Sequence, residues 1–345
     1  MHRLIGAVII ALVLPPPVAA QRPIDFGIQT PQETGSFDDL VAAWQEGERL
    51  GFTNAWLYDH FIPITGSTDG PDLEGWTALA ALAGKTTTMR IGILVTGNTY
   101  RHPAVLAKMA TTVDHVSNGR LEFGIGAGWF EFEHTAYGIP FYTDKERADR
   151  LAEALEVIRL LWTGDHPTFD GRFYDLVKAP FVPKNVQTPH PPIVIGGKGK
   201  KWIMPTVARH ATEWNAPVGL SPDGVRERIE LMKQECARIG RAPCVERVSI
   251  LMPLINISNV PLAGAATRLG ARLVVEKRIA DSLLAGSPEE IKEWIRGYVD
   301  AGVTRVILSL RPPFDRDLMR RFAAEVMPAF QPGAGAPAPA DTGQP

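Results

Sequence analysis

Eight short apolar runs, each followed by a helix-length segment, recur along the chain: Ile24–Ile28, Asn54–Tyr58, Arg90–Val95, Leu121–Ile125, Pro192–Ile195, Thr212–Asn215, Val248–Ile255 and Val303–Leu310. Strands separated by helices pair in parallel through crossovers. Eight such units over roughly three hundred residues match a closed barrel in count and size. The expected fold class is therefore α/β, a single (β/α)8 TIM barrel. In that fold, chemistry belongs at the C-terminal ends of the strands. Two segments exceed a minimal barrel: Pro63–Asp72 after the second strand, and Trp162–Pro191 between the helix after the fourth strand and the fifth strand. Loops of this length are more often functional lids than passive connections. Inside the second, Phe169–Tyr174 predicts a small hairpin turning at Asp170-Gly171.

The helices between the runs carry their own signals. Ser36-Phe37-Asp38-Asp39 reads as a helix start, and Gly51 as its stop. Pro103 opens the helix after the third strand, and Asn118-Gly119 closes it. Within Asp144–Leu161, the residues Ala148, Leu151, Leu155, Ile158 and Leu161 share one face. Pro288 starts a helix through Val299, and Gly302 stops the chain before the last strand.

A length of 345 residues suits two domains, but a barrel absorbs it as one. A net charge of −2 gives no electrostatic case for nucleic acid or an anionic membrane surface. Cys236 and Cys244, the only cysteines, exclude a thiolate metal cluster and a disulfide scaffold. Cys236 falls within a helical pattern, so both are expected as free thiols. Met1-His2-Arg3, the apolar Leu4–Leu14 and Val18-Ala19-Ala20 match a secretory signal cleaved after Ala20. That reading predicts export with no membrane span left after cleavage. The competing reading is a start placed too far upstream, with a cytoplasmic protein beginning near Ile24. The expected layout is a signal peptide at 1–20, a barrel domain at 21–330 and a Pro/Gly/Ala-rich disordered tail at 331–345.

Four strand ends carry candidate chemistry. Asp59-His60-Phe61 puts an ionisable pair after the second strand; it serves proton transfer, or else Asp59 caps a turn and His60 is a satisfied rim residue. Thr96-Gly97-Asn98 after the third offers short polar contacts to a flat ligand, or ordinary turn chemistry. Gly124-Ile125-Gly126-Ala127-Gly128-Trp129 lacks the later glycine and acidic residue of a dinucleotide fingerprint and suits a ring lying against backbone. Gly196-Gly197-Lys198-Gly199-Lys200-Lys201 precedes a helix near Trp202, a setting for a phosphate or a flexible basic loop. No metal-ligand spacing occurs, so no metal site is expected.

Taken together, these residues resemble the luciferase-like monooxygenase superfamily, in its branch of oxidoreductases dependent on the deazaflavin coenzyme F420. The resemblance runs from about Ile24 to Phe330. Its carriers are Trp56–Phe61, Thr96–Pro103, Asp114–Leu121, Gly124–Glu133, Tyr137–Phe141 and Ile195–Gly197. It implies a coenzyme held at the strand C-termini. It also implies a non-prolyl cis peptide around Ile93–Val95, where Leu94 and Val95 would form a bulge behind the ring. Gly196, Gly197, Lys198, Gly199 and Lys201 would take the coenzyme's phosphate, with Asp59, Thr96 and Trp129 also lining the site. The implied activity is hydride transfer between F420 and a small organic substrate, with His60 as the catalytic group. One departure stands out. The sugar-phosphate dehydrogenases of the family carry an acid glutamate after the glycine turn, where this chain has Trp129 and displaced Glu131 and Glu133. Glucose-6-phosphate dehydrogenase activity is therefore not expected. Two other functions fit the residues: an FMN-dependent monooxygenase served by a partner reductase, and a non-catalytic exported barrel binding a cofactor or solute. A homodimer is compatible with all three.

Overall fold

The computed structural model describes residues 23–33, 35–257 and 283–331. The expected signal peptide and nearly all of the expected disordered tail lie outside the described residues. Eight parallel strands close into a ring: β1 (Asp25–Gln29), β2 (Asn54–Leu57), β3 (Arg90–Ile93), β5 (Leu121–Gly126), β8 (Ile193–Gly196), β9 (Glu213–Ala216), β10 (Arg247–Ile257) and β12 (Arg305–Ser309), with β12 pairing back onto β1. Each of the eight apolar runs is one of these strands. They are legible because parallel strands covered by helices are buried on both faces and read as continuous apolar runs.

Three further pairings modify the ring. The third run ends at Ile93, the peptide Leu94–Val95 is cis as expected, and β4 (Thr96–Gly97) resumes pairing against Ile125 and Gly126. β11 (Leu283–Gly286) pairs with the C-terminal part of β10 beyond a register shift. β6 (Phe169–Asp170) and β7 (Asp175–Leu176) form the expected hairpin, but it turns through Gly171–Tyr174, one step later than the Asp-Gly pair suggests. The cause is Glu153, whose carboxylate accepts from the N–H groups of Arg172, Phe173 and Tyr174 and so fixes a wider turn.

The outer helices begin and end where local chemistry directs. α1 (Phe37–Leu50) has a capping box between Ser36 and Asp39 and ends at Gly51 with φ 86°. Between β2 and β3 lies α2 (Gly75–Ala83), and α3 (Pro103–Val116) starts at Pro103. After β5 come α4 (Glu131–Ala136) and α5 (Asp144–Thr163), whose anticipated apolar face is fully buried. α6 (Ile203–His210) follows β8, and α7 (Pro222–Arg238) follows β9. α8 (Pro288–Val299) and α9 (Arg316–Glu325) flank β12. The expectation of free thiols is wrong. α7 ends two residues after Cys236, Gly240 at φ 68° reverses the chain, and Cys244 returns to a Cα distance of 5.7 Å, where the two are disulfide-bonded.

The barrel interior is layered. At the N-terminal ends of the strands, Glu122 is bonded by Arg305 at 2.5 Å, Arg90 at 2.7 Å and Arg247 at 3.2 Å. Glu213 shares Arg305 at 2.9 Å and Arg247 at 3.1 Å. Burial favours the neutral form of Glu122, but the three guanidiniums outweigh it and hold the carboxyl well below its ordinary range. Above this charged plug sits an apolar layer of Trp56, Leu94, Val194 and Ile307, with Val95 and Leu251 packed against it. Only the strand C-termini are left for chemistry. Arg305→Leu should therefore destabilise the fold by about 3–5 kcal/mol, since it strands two buried carboxylates. Urea unfolding checks this, and a midpoint like that of the wild type would show that Arg90 and Arg247 suffice.

Candidate active site

The segment leaving β2 carries Asp59, His60 and Phe61 across the barrel mouth. Asp59 is buried, and Arg101 grips it with two bonds of 2.6 and 2.9 Å. The Thr96 hydroxyl also donates to Asp59 and accepts from the Trp76 indole at 3.0 Å. Arg101 reaches on to Glu74 at 2.5 Å. Both Asp59 oxygens are thus committed within the protein. Thr96 is wholly buried beside them, and the pair cross-links β2, β4 and the loop before α3.

His60 has a partner that spacing alone did not reveal. Its Nδ1 lies 3.0 Å from Oε2 of Glu133, a fully buried carboxylate on α4. The Tyr100 hydroxyl donates to the same oxygen, and the Phe61 N–H donates to Oε1. Burial opposes the charge on Glu133, yet the bonds from His60, Tyr100 and Phe61 hold its carboxyl below the ordinary range. An ionised carboxylate only accepts, so Nδ1 of His60 must carry a proton. Nε2 then makes no hydrogen bond among the described residues and is the nitrogen offered to a ligand. Trp129 stands edge-on to the His60 ring at 5.6 Å, and Tyr58 at 5.1 Å. Neighbouring His134 is buried and occupied by Thr99 and the Phe130 carbonyl, so it takes no part.

The floor of the site is the cis bulge. Gln29 donates to the Leu94 carbonyl at 2.9 Å, which fixes the peptide from the side of β1. A Cβ on Gly126 would lie 2.8 Å from the Val95 side chain, and one on Gly196 would lie 2.9 Å from it. These glycines therefore make room for Val95, and Val95 in turn is what faces any ring above. Asn98, at the end of β4, donates to Tyr174 of the hairpin at 3.3 Å, while its buried Oδ1 has no partner among the described residues.

The glycine/lysine loop runs from β8 to α6. Gly197 has φ 135°, where a side chain is strained. The first helical bonds are those from Ile203 and Met204 to the Gly199 carbonyl, so the N–H groups of Lys200, Lys201 and Trp202 have no partner in the helix. Lys200 is paired with Glu227 at 2.5 Å. Lys198 and Lys201 form no ion pair among the described residues, and Lys201 lies over the Trp202 ring. This donor set fits a phosphate.

A second titratable group borders the mouth. The Tyr58 hydroxyl lies 3.1 Å from Glu33 and 2.9 Å from Asp72. One phenolic proton cannot serve two carboxylates. Glu33 has other donors in Ile64 N–H, Thr65 and Arg311, whereas Asp72 has none, so the additional proton sits on Asp72. Burial, reinforced by the charges of Glu33 and Glu133, pushes the Asp72 carboxyl up to about 7. Among the described residues no cluster of three or more His, Cys, Asp or Glu could hold a metal ion, and no helix is long and apolar enough to cross a membrane.

The family model described as luciferase-like monooxygenase matches residues 22–258. The chain belongs to the luciferase-like monooxygenase family. It is 26% identical over 336 residues to the F420-dependent glucose-6-phosphate dehydrogenase of Kineococcus radiotolerans, covering 90% of this chain and 98% of that protein. It is 28% identical to the FMNH2-dependent dimethylsulfone monooxygenase of Pseudomonas putida, over 57% of this chain and 53% of that one. The fold matches an F420-dependent secondary alcohol dehydrogenase solved with an F420-acetone adduct. The TM-score is 0.76 and the identity 21%, over 90% of this chain and all of the other.

The Asp72 proton makes stability depend on pH. A folded pKa near 7 against an ordinary 3.8 means the native state binds more protons between these values. Its stabilising contribution is complete below about pH 4, falls as pH rises and is gone above 7. Denaturant unfolding of wild type and Asp72→Asn between pH 4.5 and 8 should therefore show the wild type losing stability relative to the variant. Parallel pH profiles would place the proton elsewhere.

Proposed function

We propose that this protein is an F420-dependent oxidoreductase transferring a hydride between the coenzyme and a small organic substrate. The observation that carries this is the Glu133–His60 pair beside the Leu94–Val95 floor, opposite a loop suited to phosphate. The coenzyme supplies the hydride chemistry when bound. Leu94 and Val95 support the ring. Gly196, Gly197, Lys198, Gly199 and Lys201 hold the phosphate through backbone N–H groups and two ammonium charges. Asp59 and Thr96 act from below, keeping Arg101 and the bulge in place. His60 exchanges a proton with the substrate through Nε2, Glu133 fixes the orientation of its ring, and Trp129 closes the side of the site.

The FMN-dependent alternative uses the same floor and the same phosphate loop. What favours F420 is the full-length similarity to an F420-dependent dehydrogenase, against a half-length similarity to a monooxygenase. Titration of the purified protein with both coenzymes should show tighter binding of F420. Preference for FMN would make it a monooxygenase that depends on a reductase. Export remains a reading from residues 1–20; the Cys236–Cys244 bond supports it, because disulfides persist in oxidising compartments.

Two sets of variants test the residue roles. Lys198→Ala with Lys201→Ala should weaken coenzyme binding by one to two decades, at roughly 1.5–3 kcal/mol for each charge-assisted contact, and leave the unfolding midpoint unchanged. Unchanged binding would place the phosphate elsewhere. His60→Ala should lower single-turnover hydride transfer by about a hundred- to ten-thousand-fold at saturating coenzyme. A rate within a few-fold of wild type, with a steep loss of coenzyme affinity, would make His60 a binding residue.

A further inference from the structure

The aromatic side chains beside His60 form a connected strip that nothing in the protein covers. Trp129, Phe132 and Tyr137 are 53%, 55% and 55% exposed. Trp129 stacks on Phe130 at 5.1 Å, and Phe130 meets Phe132 at 6.0 Å. Tyr137 lies 5.4 Å from Phe61, which lies 4.9 Å from Tyr100. The strip begins at the catalytic ring, since His60 is 5.6 Å from Trp129 and 5.9 Å from Phe130. Single exposed aromatics are ordinary, but a connected group beside a reactive residue marks a ligand surface.

Charge around this wall narrows the ligand. Arg101 is committed to Asp59 and Glu74. Arg147 is committed to Asp144 and to the carbonyls of Gly128 and Tyr142. The carboxylate of Glu133 lies beneath the wall. An anionic substrate group seated here would meet a negative charge and, among the described residues of this wall, no uncommitted cation. We infer that the substrate is an uncharged molecule with an apolar body, held against Trp129, Phe132 and Tyr137 with its reacting carbon beside His60. This rests on the oxidoreductase reading and reassigns Trp129 from coenzyme to substrate.

The test uses the purified full chain, with and without saturating F420, and measures dissociation constants by calorimetry for 2-butanone, 2-hexanone, 2-octanone and glucose 6-phosphate. Binding should tighten about three- to fourfold per methylene along the ketones. Glucose 6-phosphate should bind more weakly than 2-octanone. Trp129→Ala and Phe132→Ser should flatten the series, Trp129→Phe should preserve most of it, and circular dichroism should show all three variants folded. A flat series in the wild type, tighter binding of glucose 6-phosphate, or a series unchanged in both folded truncation variants would overturn the inference. F420 titration separates the two levels. Loss of F420 binding contradicts the oxidoreductase reading, whereas F420 binding with a flat ketone series contradicts only the substrate class.

Discussion

Glu133 is a fully buried carboxylate that gathers donors from three separate stretches of chain: His60, the Phe61 N–H and the Tyr100 hydroxyl. Burying a charge is tolerable only when its hydrogen bonds are met, and here they are. The same bonds fix the end of β2, the loop before α3 and the short helix α4 relative to one another. Without that carboxylate the His60 ring has no orientation, and the aromatic wall on α4 loses its registration with the catalytic edge.

Beneath this arrangement the barrel separates its tasks by depth. The Glu122–Arg305–Glu213 plug closes the bottom with charge, and Trp56, Leu94, Val194 and Ile307 form a dry layer above it. The Leu94–Val95 bulge is the upper surface of that layer. It exists because Gly126 and Gly196 on neighbouring strands lack side chains. The glycines that look in sequence like a cradle for a ligand are first a cradle for Val95, and through Val95 they shape the ligand's floor.

The strands, their order and the helix caps were legible because each depends on local rules: continuous apolar runs for strands buried on both faces, and the Ser36–Asp39 box for a helix start. The importance of the strand ends followed from the fold. What could not be read depended on contacts distant in sequence. The Glu133–His60 pair spans the gap between two strand ends and has no spacing signature. The charges that begin β3, β9, β10 and β12 look like rim residues until closure turns them inward. The Cys236–Cys244 bond depends on a chain reversal at Gly240 that a helical pattern conceals. Asp59 and Thr96 were noticed as ligand contacts, yet they spend their polar atoms on Arg101, Trp76 and each other.

The central claim is that a buried, ionised Glu133 forces the proton of neutral His60 onto Nδ1 and leaves Nε2 facing the site. Long-range proton–nitrogen correlation spectra of histidine-labelled protein, assigned with His60→Asn, read this directly. The account predicts that neutral His60 is the Nδ1–H tautomer in the wild type and loses that preference in Glu133→Gln. A neutral ring carrying its proton on Nε2 in the wild type would contradict it.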